Sequence, residues 1–407
     1  RQFWSRIEGL RSCGHTLDKI EIIVLGGTFS AYPRDYQRDF MRDLFYAANT
    51  TGTYLSKSAD LREKFDLYEE QTINETTRYR IIGISLETRP DHINKHELRR
   101  FRSYGCTRVQ IGIQHTDPDI LKGVNRGHTI EQGVEAIKLL KNAGFKVDIH
   151  VMPDLPGATP DMDKEMLTKV ITGPEYSPDY MKIYPCLDVE FTKIRQWKQE
   201  GKWKPYAESN YQDLVDVILY AKTISKQWIR YNRIQRDFPP ENNERYGYNS
   251  QTIKPNLRQL IDVQAKKAGI ICQCIRCKEV KRGSIDSLIY YSIDKYKASE
   301  GTEYFISAHE SPERNKLAGF IRLRIQNGEE SSVGYIRELH VYGFLNQVSN
   351  KNRNIIGVQH QGIGTKLLKY AETIAWWNGI KELRIISGIG VRQYYAKRGY
   401  HLNNDYM

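Results

Sequence analysis

The sequence predicts an α/β chain with two dissimilar halves: an incomplete barrel of parallel strands, then a short cysteine-bearing linker and an α+β domain. Three observations predict it. Over the first half, β-rich runs alternate with helical periodicity, the pattern of parallel strands joined by crossovers. The residues that look chemical sit just after strand ends: Gly26-Gly27-Thr28, Glu87-Thr88-Arg89-Pro90, Gln114-His115 and Pro153-Asp154. Barrels and open α/β sheets place their sites there. After the cysteines at 272–277, the pattern changes to a strand meander with one glycine-led helix.

In order, residues 21–25 read as a strand ending in Gly26-Gly27, and 35–48 as a helix. Residues 80–86 read as a strand, 91–104 as a helix and 107–113 as a strand. A helix over 130–143 ends at Gly144, and a strand over 146–152 ends at Pro153. A short strand at 181–184, a helix at 211–225 and a strand at 228–235 complete the barrel half. Residues 237–256 read as a loop, and 257–268 as a helix ended by Gly269. Strands then fall near 287–295, 304–309, 317–326, 335–342 and 382–387, with a helix over 362–377. The expected domains are 1–236, a linker over 237–285, and 286–407.

At 407 residues the chain has room for two or three domains. Its 61 basic and 49 acidic residues leave a net charge of +12, which suits a polyanion, nucleic acid first. No apolar run approaches the ~20 residues that span a bilayer, and no signal peptide opens the chain. Cys13, Cys106 and Cys186 are scattered, which argues against a disulfide framework and for a reducing, cytoplasmic setting.

The most specific stretch is Gln359-His360-Gln361-Gly362-Ile363-Gly364-Thr365, opening an amphipathic helix. Glycines admit a ligand close to the backbone, and the first free amides of the helix attract an anion such as a pyrophosphate. A second block follows, Ser387-Gly388-Ile389-Gly390-Val391-Arg392-Gln393-Tyr394-Tyr395. This spacing resembles the acyl-CoA signature of the GCN5-related acetyltransferases. Cys272, Cys274 and Cys277 have the C-x-C-x2-C spacing of thiolates that share a tetrahedral zinc. The fourth ligand stays open among His340, His309 and Cys186. For RNA, Arg230, Arg233 and Arg236 interleave with Trp228 and Tyr231, and Lys278, Lys281 and Arg282 follow the cysteines.

The barrel half resembles a radical S-adenosylmethionine (SAM) domain, through Leu25-Gly26-Gly27-Thr28 and the series Glu87-Thr88-Arg89-Pro90-Asp91, Asn125-Arg126-Gly127-His128-Thr129, Met152-Pro153-Asp154-Leu155-Pro156 and Lys182-Ile183-Tyr184-Pro185. With Arg337-Glu338-Leu339-His340-Val341-Tyr342-Gly343 and the glycine stretch, the whole series resembles the family of the catalytic subunit of Elongator, in its archaeal or bacterial single-subunit form. The resemblance implies a radical SAM barrel, a zinc-binding linker and an acetyltransferase-like domain that together modify C5 of uridine 34 in tRNA. It implies acetyl-CoA, SAM, a [4Fe–4S] cluster and zinc as cofactors. Its partners would be tRNA, a second copy of the chain, or other Elongator subunits in a eukaryote.

The resemblance makes Lys19, Lys182, Tyr184 and Glu338 the candidate catalytic residues. Acetyl-CoA would meet Lys19, Glu338, Leu339, His340, Val341, Gln359, Gln361, Gly362, Ile363, Gly364, Thr365, Tyr394 and Tyr395. SAM would meet Gly26, Gly27, Thr28, Glu87 and Gln114. The family's cluster cysteines precede the segment that matches residue 1, so the chain, which opens on Arg1, reads as lacking its N-terminal segment and the cluster ligands. Two competing readings are a protein lysine acetyltransferase with Glu338 as general base, and a non-catalytic tRNA-binding platform.

Overall fold

A computed structural model describes residues 1–57, 59–235, 256–280, 288–326, 332–342 and 362–407. The first half builds one sheet from β1 (Lys19–Val24), β2 (Arg80–Thr88), β3 (Cys106–Gln114), β4 (Lys146–Val151), β5 (Tyr180–Ile183) and β6 (Arg230–Arg233). These strands lie side by side in chain order, and every pairing is parallel. Six sequential parallel strands joined by crossovers form an open half-barrel, as the alternation predicts.

The pleat sorts the side chains. Val109, Ile111, Val147, Ile149, Met181 and Ile183 join the core beneath the helices. The alternate residues Arg108, Gln110, Asp148 and Lys182 line the other, interior face. The helix expected over 35–48 extends over Arg34–Ser56 and buries Met41, Phe45 and Ala48. The helix expected from residue 91 starts at Lys95, because Pro90–His92 is a tight 3-10 turn and the Asn94 side chain accepts from the His96 and Glu97 amides. Helices Gln2–Ser12, Leu67–Asn74 and Pro160–Thr172 lie outside the elements that the periodicity predicts. Thr159 as N-cap with Pro160 at the first helical position signalled the last of them. The strand expected over 228–235 keeps only Arg230–Arg233.

The second sheet has the order β11-β10-β9-β8-β7. Its strands are β7 (Tyr290–Ala298), β8 (Gly301–His309), β9 (Leu317–Gln326), β10 (Val333–Val341) and β11 (Glu382–Ile385). All neighbours are antiparallel except β10 and β11. Helix Ile363–Trp377 packs Leu367, Leu368, Ala371 and Ile374 into this domain's core.

The halves meet through buried charge. A bulge at Arg337 sets two β10 residues, Arg337 and Glu338, against one residue of β9, which re-aims both side chains. Arg337 grips Asp179 with two nitrogens, at 2.7 and 2.6 Å, and donates to Glu303 at 2.9 Å. Arg324 pairs with Glu303 at 3.0 Å and donates to Asn142 of the barrel half at 2.9 Å. Arg322 donates to Glu338 at 2.9 Å and to the Trp228 carbonyl at 2.7 Å. Lys141 lies 3.7 Å from Asp179 and 3.8 Å from Glu303. Burial pushes the Asp179, Glu303 and Glu338 carboxyls up, but the surrounding cations outweigh it and hold all three below their ordinary values.

Removing one member leaves its partners buried and uncompensated. Asp179→Ala is expected to destabilise the protein by about 3–5 kcal/mol in urea unfolding. The stability these carboxyls contribute is present above about pH 4, the unfolded range, and is lost as pH falls through their folded values. Urea midpoints measured from pH 7 down to pH 3 should therefore fall less steeply in Glu303→Gln than in the wild type.

Candidate active site between the two domains

The interior of the half-barrel is a hydrogen-bonded polar surface. Gln110 donates to Ser85 at 2.8 Å and accepts from Lys182 at 2.5 Å. Asp148 accepts from Asn232 at 2.8 Å. Arg108 reaches Glu21 at 2.8 Å and sits 5.0 Å above the Tyr180 ring. Burial lowers the Lys182 ammonium against the pull of Asp148 and Glu87. The Tyr184 ring lies 5.9 Å from the Lys182 ammonium and 5.7 Å from the His150 ring.

At the C-terminal strand ends, Gly26 (φ +125°) and Gly27 (φ +107°) take backbone conformations that only glycine adopts freely. A Cβ on either would meet open space. Glu87 is the penultimate residue of β2 and Gln114 the last of β3. Ser30 and Thr88 hydrogen-bond at 2.9 Å, tying the glycine loop to β2. The Gln114 side-chain carbonyl is buried with no hydrogen-bond partner, which fits a polar ligand such as SAM in this mouth. Among the described residues no three thiols meet here, so the residues present do not fit an iron–sulfur cluster.

The second domain presents an open strand edge. β10 and β11 pair only from Val333↔Glu382 to Ile336↔Ile385. There β11 ends, and β10 runs on through Glu338, Leu339, His340 and Val341 with one edge unpaired among the described residues. Helix Ile363–Trp377 starts nearby at Gly362 (φ +77°) and has no side-chain cap. Its first amides, on Ile363, Gly364 and Thr365, are free to meet an anion. A Cβ at position 364 would lie 2.9 Å from the Tyr394 hydroxyl and 3.6 Å from Val341. Arg398 covers the Tyr394 ring at 3.6 Å and donates to Thr365 at 3.0 Å. Tyr395 is buried against Tyr394 and Tyr400. Strand edge and helix end together fit the amides and pyrophosphate of a CoA. Gln359 and Gln361 lie outside the described residues.

Lys19, exposed at the head of β1, pairs with Arg80 of β2. Gly390 of the second glycine block packs so tightly on Arg80 that a Cβ there would sit 2.6 Å from it. Lys19 therefore stands one strand away from the acetyltransferase-like domain. Glu338 is corrected as a general base: it already holds Arg322 and the Tyr180 hydroxyl, and stays ionised with little affinity for a proton.

The Cys272, Cys274 and Cys277 sulfurs lie within 4.8 Å of one another, beside the N-terminal end of β6. Three convergent thiols fit zinc. His340 does not join them, nor does any other His, Cys, Asp or Glu among the described residues. Its ring packs between Phe320 and Tyr342 instead. The linker also stitches the halves: Ile275 donates to the Ile229 carbonyl at 3.0 Å and Val280 to the Leu317 carbonyl at 3.0 Å.

The interleaved RNA stripe is corrected in part. Arg230 is spent on Glu279 and Tyr342. Trp228 stacks on Tyr296 with ring centroids 3.9 Å apart, and Tyr231 is buried with its hydroxyl on the Ala221 carbonyl. Arg233 also has partners within the fold, and Lys278 stays partly exposed. Arg236, Lys281 and Arg282 lie outside the described residues. Sequence reasoning missed Arg108, Asp148 and Tyr180. Alternation of polar residues along strands expected to be buried on both faces was the signal.

Three family models match the chain: the radical SAM superfamily over residues 8–170, the radical SAM C-terminal domain over 178–267, and the acetyltransferase (GNAT) family over 276–400. A tRNA uridine(34) acetyltransferase of Methanocaldococcus infernus is 38% identical over 416 residues, covering 99% of this chain and 74% of that protein. Elongator complex protein 3 of Homo sapiens is 36% identical over 414 residues, covering 99% of this chain and 72% of that one. The solved structure of M. infernus Elp3 with residues 1–46 deleted matches with a TM-score of 0.87 and 37% identity, covering 100% of this chain and 93% of that chain.

Two outcomes follow from the geometry. Gly364→Val is expected to weaken acetyl-CoA binding at least ~10-fold in calorimetry, because its side chain displaces Tyr394 and fills the approach to the helix end. Metal analysis should find zinc on the purified protein and almost none on Cys274→Ser.

Proposed function

The chain belongs to the tRNA uridine(34) acetyltransferase and Elongator protein 3 family, and on that premise we propose that its two open ends form one active centre for the wobble uridine of tRNA. The enzyme is an acyltransferase that uses acetyl-CoA and SAM to modify C5 of uridine 34. Family membership implies a [4Fe–4S] cluster as well. The observation that carries the shared centre is the junction: the ion network seats the unpaired edge of β10 against the polar interior of the half-barrel. The working parts are the barrel (1–236), the linker (237–285) and the acetyl-CoA domain (286–407).

In this reading the amides of Ile363, Gly364 and Thr365 hold the CoA pyrophosphate, and the edge of Leu339–Val341 pairs with the pantetheine amides. Tyr394 and Tyr395 shape the wall beside them. Gly26, Gly27, Thr28, Glu87 and Gln114 form the SAM mouth. SAM held in that mouth would supply radical chemistry to the acetyl group, and these residues would hold and orient it. Lys182, held by Gln110 and flanked by Tyr184, orients groups inside the barrel, and Lys19 reaches the CoA from the barrel side. Cys272, Cys274 and Cys277 would hold a zinc that clamps the linker at the junction. No described helix is long and apolar enough to cross a membrane, and we place the enzyme in the cytoplasm with its tRNA.

A protein lysine acetyltransferase would need a proton acceptor at the thioester, and Glu338 is committed to Arg322 and Tyr180. Acetyl-CoA hydrolysis by this chain should rise on adding tRNA, and Lys19→Ala should lose that stimulation. Turnover that ignores tRNA, or peptide acetylation without it, would contradict the shared centre.

A further inference from the structure

Where β10 meets the strands of the half-barrel, the charged side chains are nearly all committed. Glu21 is paired with Arg108, Glu338 with Arg322 and Tyr180, and Arg230 with Glu279. Lys146 is the exception. It opens β4, pairs across from Arg108 and shares the interior face with Asp148. Its ammonium makes no hydrogen bond or ion pair among the described residues. Solvent reaches both Lys146 and His340, although protein surrounds them. The groups that act on the Lys146 ammonium are Glu338 of β10, Arg108 of β3 and Glu21 of β1, while burial lowers it. Lys146 is thus an uncommitted cation facing the strand whose free edge fits pantetheine.

We propose that Lys146 binds the carbonyl oxygen of the acetyl thioester and orients the acetyl group toward the barrel interior. A cation with no partner of its own, partly withdrawn from solvent, attracts a polarised carbonyl oxygen, and it discriminates acetyl-CoA from free CoA, which has no thioester oxygen. The carboxylates that act on it already have partners of their own, Glu338 on Arg322 and Tyr180 and Glu21 on Arg108. This assignment rests on the CoA reading of the β10 edge. In hydrolysis the water oxygen bonds to the carbonyl carbon and the C–S bond breaks. One water proton goes to the CoA sulfur, and a second proton leaves with acetate formation. Lys146 serves that step by drawing electron density onto the carbonyl oxygen, without exchanging a proton.

The test uses the full chain with tRNA, and two probes: acetyl-CoA, and the non-hydrolysable ketone analogue acetonyl-CoA labelled at the carbonyl carbon. Lys146→Met should lower kcat about 100-fold while KM changes less than about threefold. The infrared carbonyl stretch of bound acetonyl-CoA should lie below its value in water for the wild type, and return toward it in the variant. Lys146→Gln, which keeps a donor without the charge, should fall between the two in both readings and carries the test if the Met variant does not fold. Wild-type kcat and an unmoved carbonyl band in either folded variant overturn the role of Lys146. A wild type that binds neither probe overturns the CoA reading itself.

Discussion

Arg337 between Asp179 and Glu303 is the contact on which the geometry of the molecule depends. It comes from a bulge in one domain and grips the first turn of chain before β5 in the other. Arg322, Arg324 and Lys141 extend it on either side. Four cations and three carboxylates are costly to bury together. Their arrangement is satisfied only in one relative pose of the two sheets, and that directionality sets this network apart from the apolar packing around it. The glycine contacts of Gly388 with the Ile82 carbonyl and Gly390 with Arg80 admit the same pose at close range.

What the pose achieves is an alignment of two openings. Because β11 ends at Ile385, the edge of β10 at Glu338–Val341 is unpaired among the described residues. The half-barrel turns its polar face, with Arg108, Gln110, Asp148 and Lys182, away from the core that its helices cover. Tyr180 and Glu338 join the two directly, one residue from each half. In the proposed reading, a thioester on that edge would lie toward Arg108 and Lys146, on the face that also carries Gln110, Asp148 and Lys182. The mouth with Gly26, Gly27 and Gln114 lies at the opposite strand ends. In the proposed reading, acetyl and radical chemistry share the polar interior between these two ends.

Much of this was legible in the sequence, for identifiable reasons. Parallel strands such as β3 and β4 are marked by β-rich runs between helices, and glycines 362 and 364 by their place before an amphipathic helix. Short-range chemistry of that kind survives in a linear reading. The junction did not, because Asp179 and Arg337 are 158 residues apart and nothing local distinguishes a buried arginine from a solvated one. The same blindness misassigned Arg230, Trp228 and Tyr231 to RNA: an arginine–aromatic stripe looks alike whether it faces nucleic acid or a neighbouring domain. Glu338 looked like a base because its partner Arg322 sits on another strand. Lys146 passed unnoticed since its interest lies in what its neighbours already hold.

The central claim is that the charged junction, and not merely the presence of both domains, creates the active centre. Its most direct measurement is tRNA-stimulated acetyl-CoA hydrolysis by the double variant Asp179→Leu/Arg337→Met, which removes both buried charges together and spares the fold an orphaned ion. The account predicts a folded protein that still binds acetyl-CoA and tRNA separately and has lost the stimulation of one by the other. Stimulation at the wild-type level in that folded variant would contradict it.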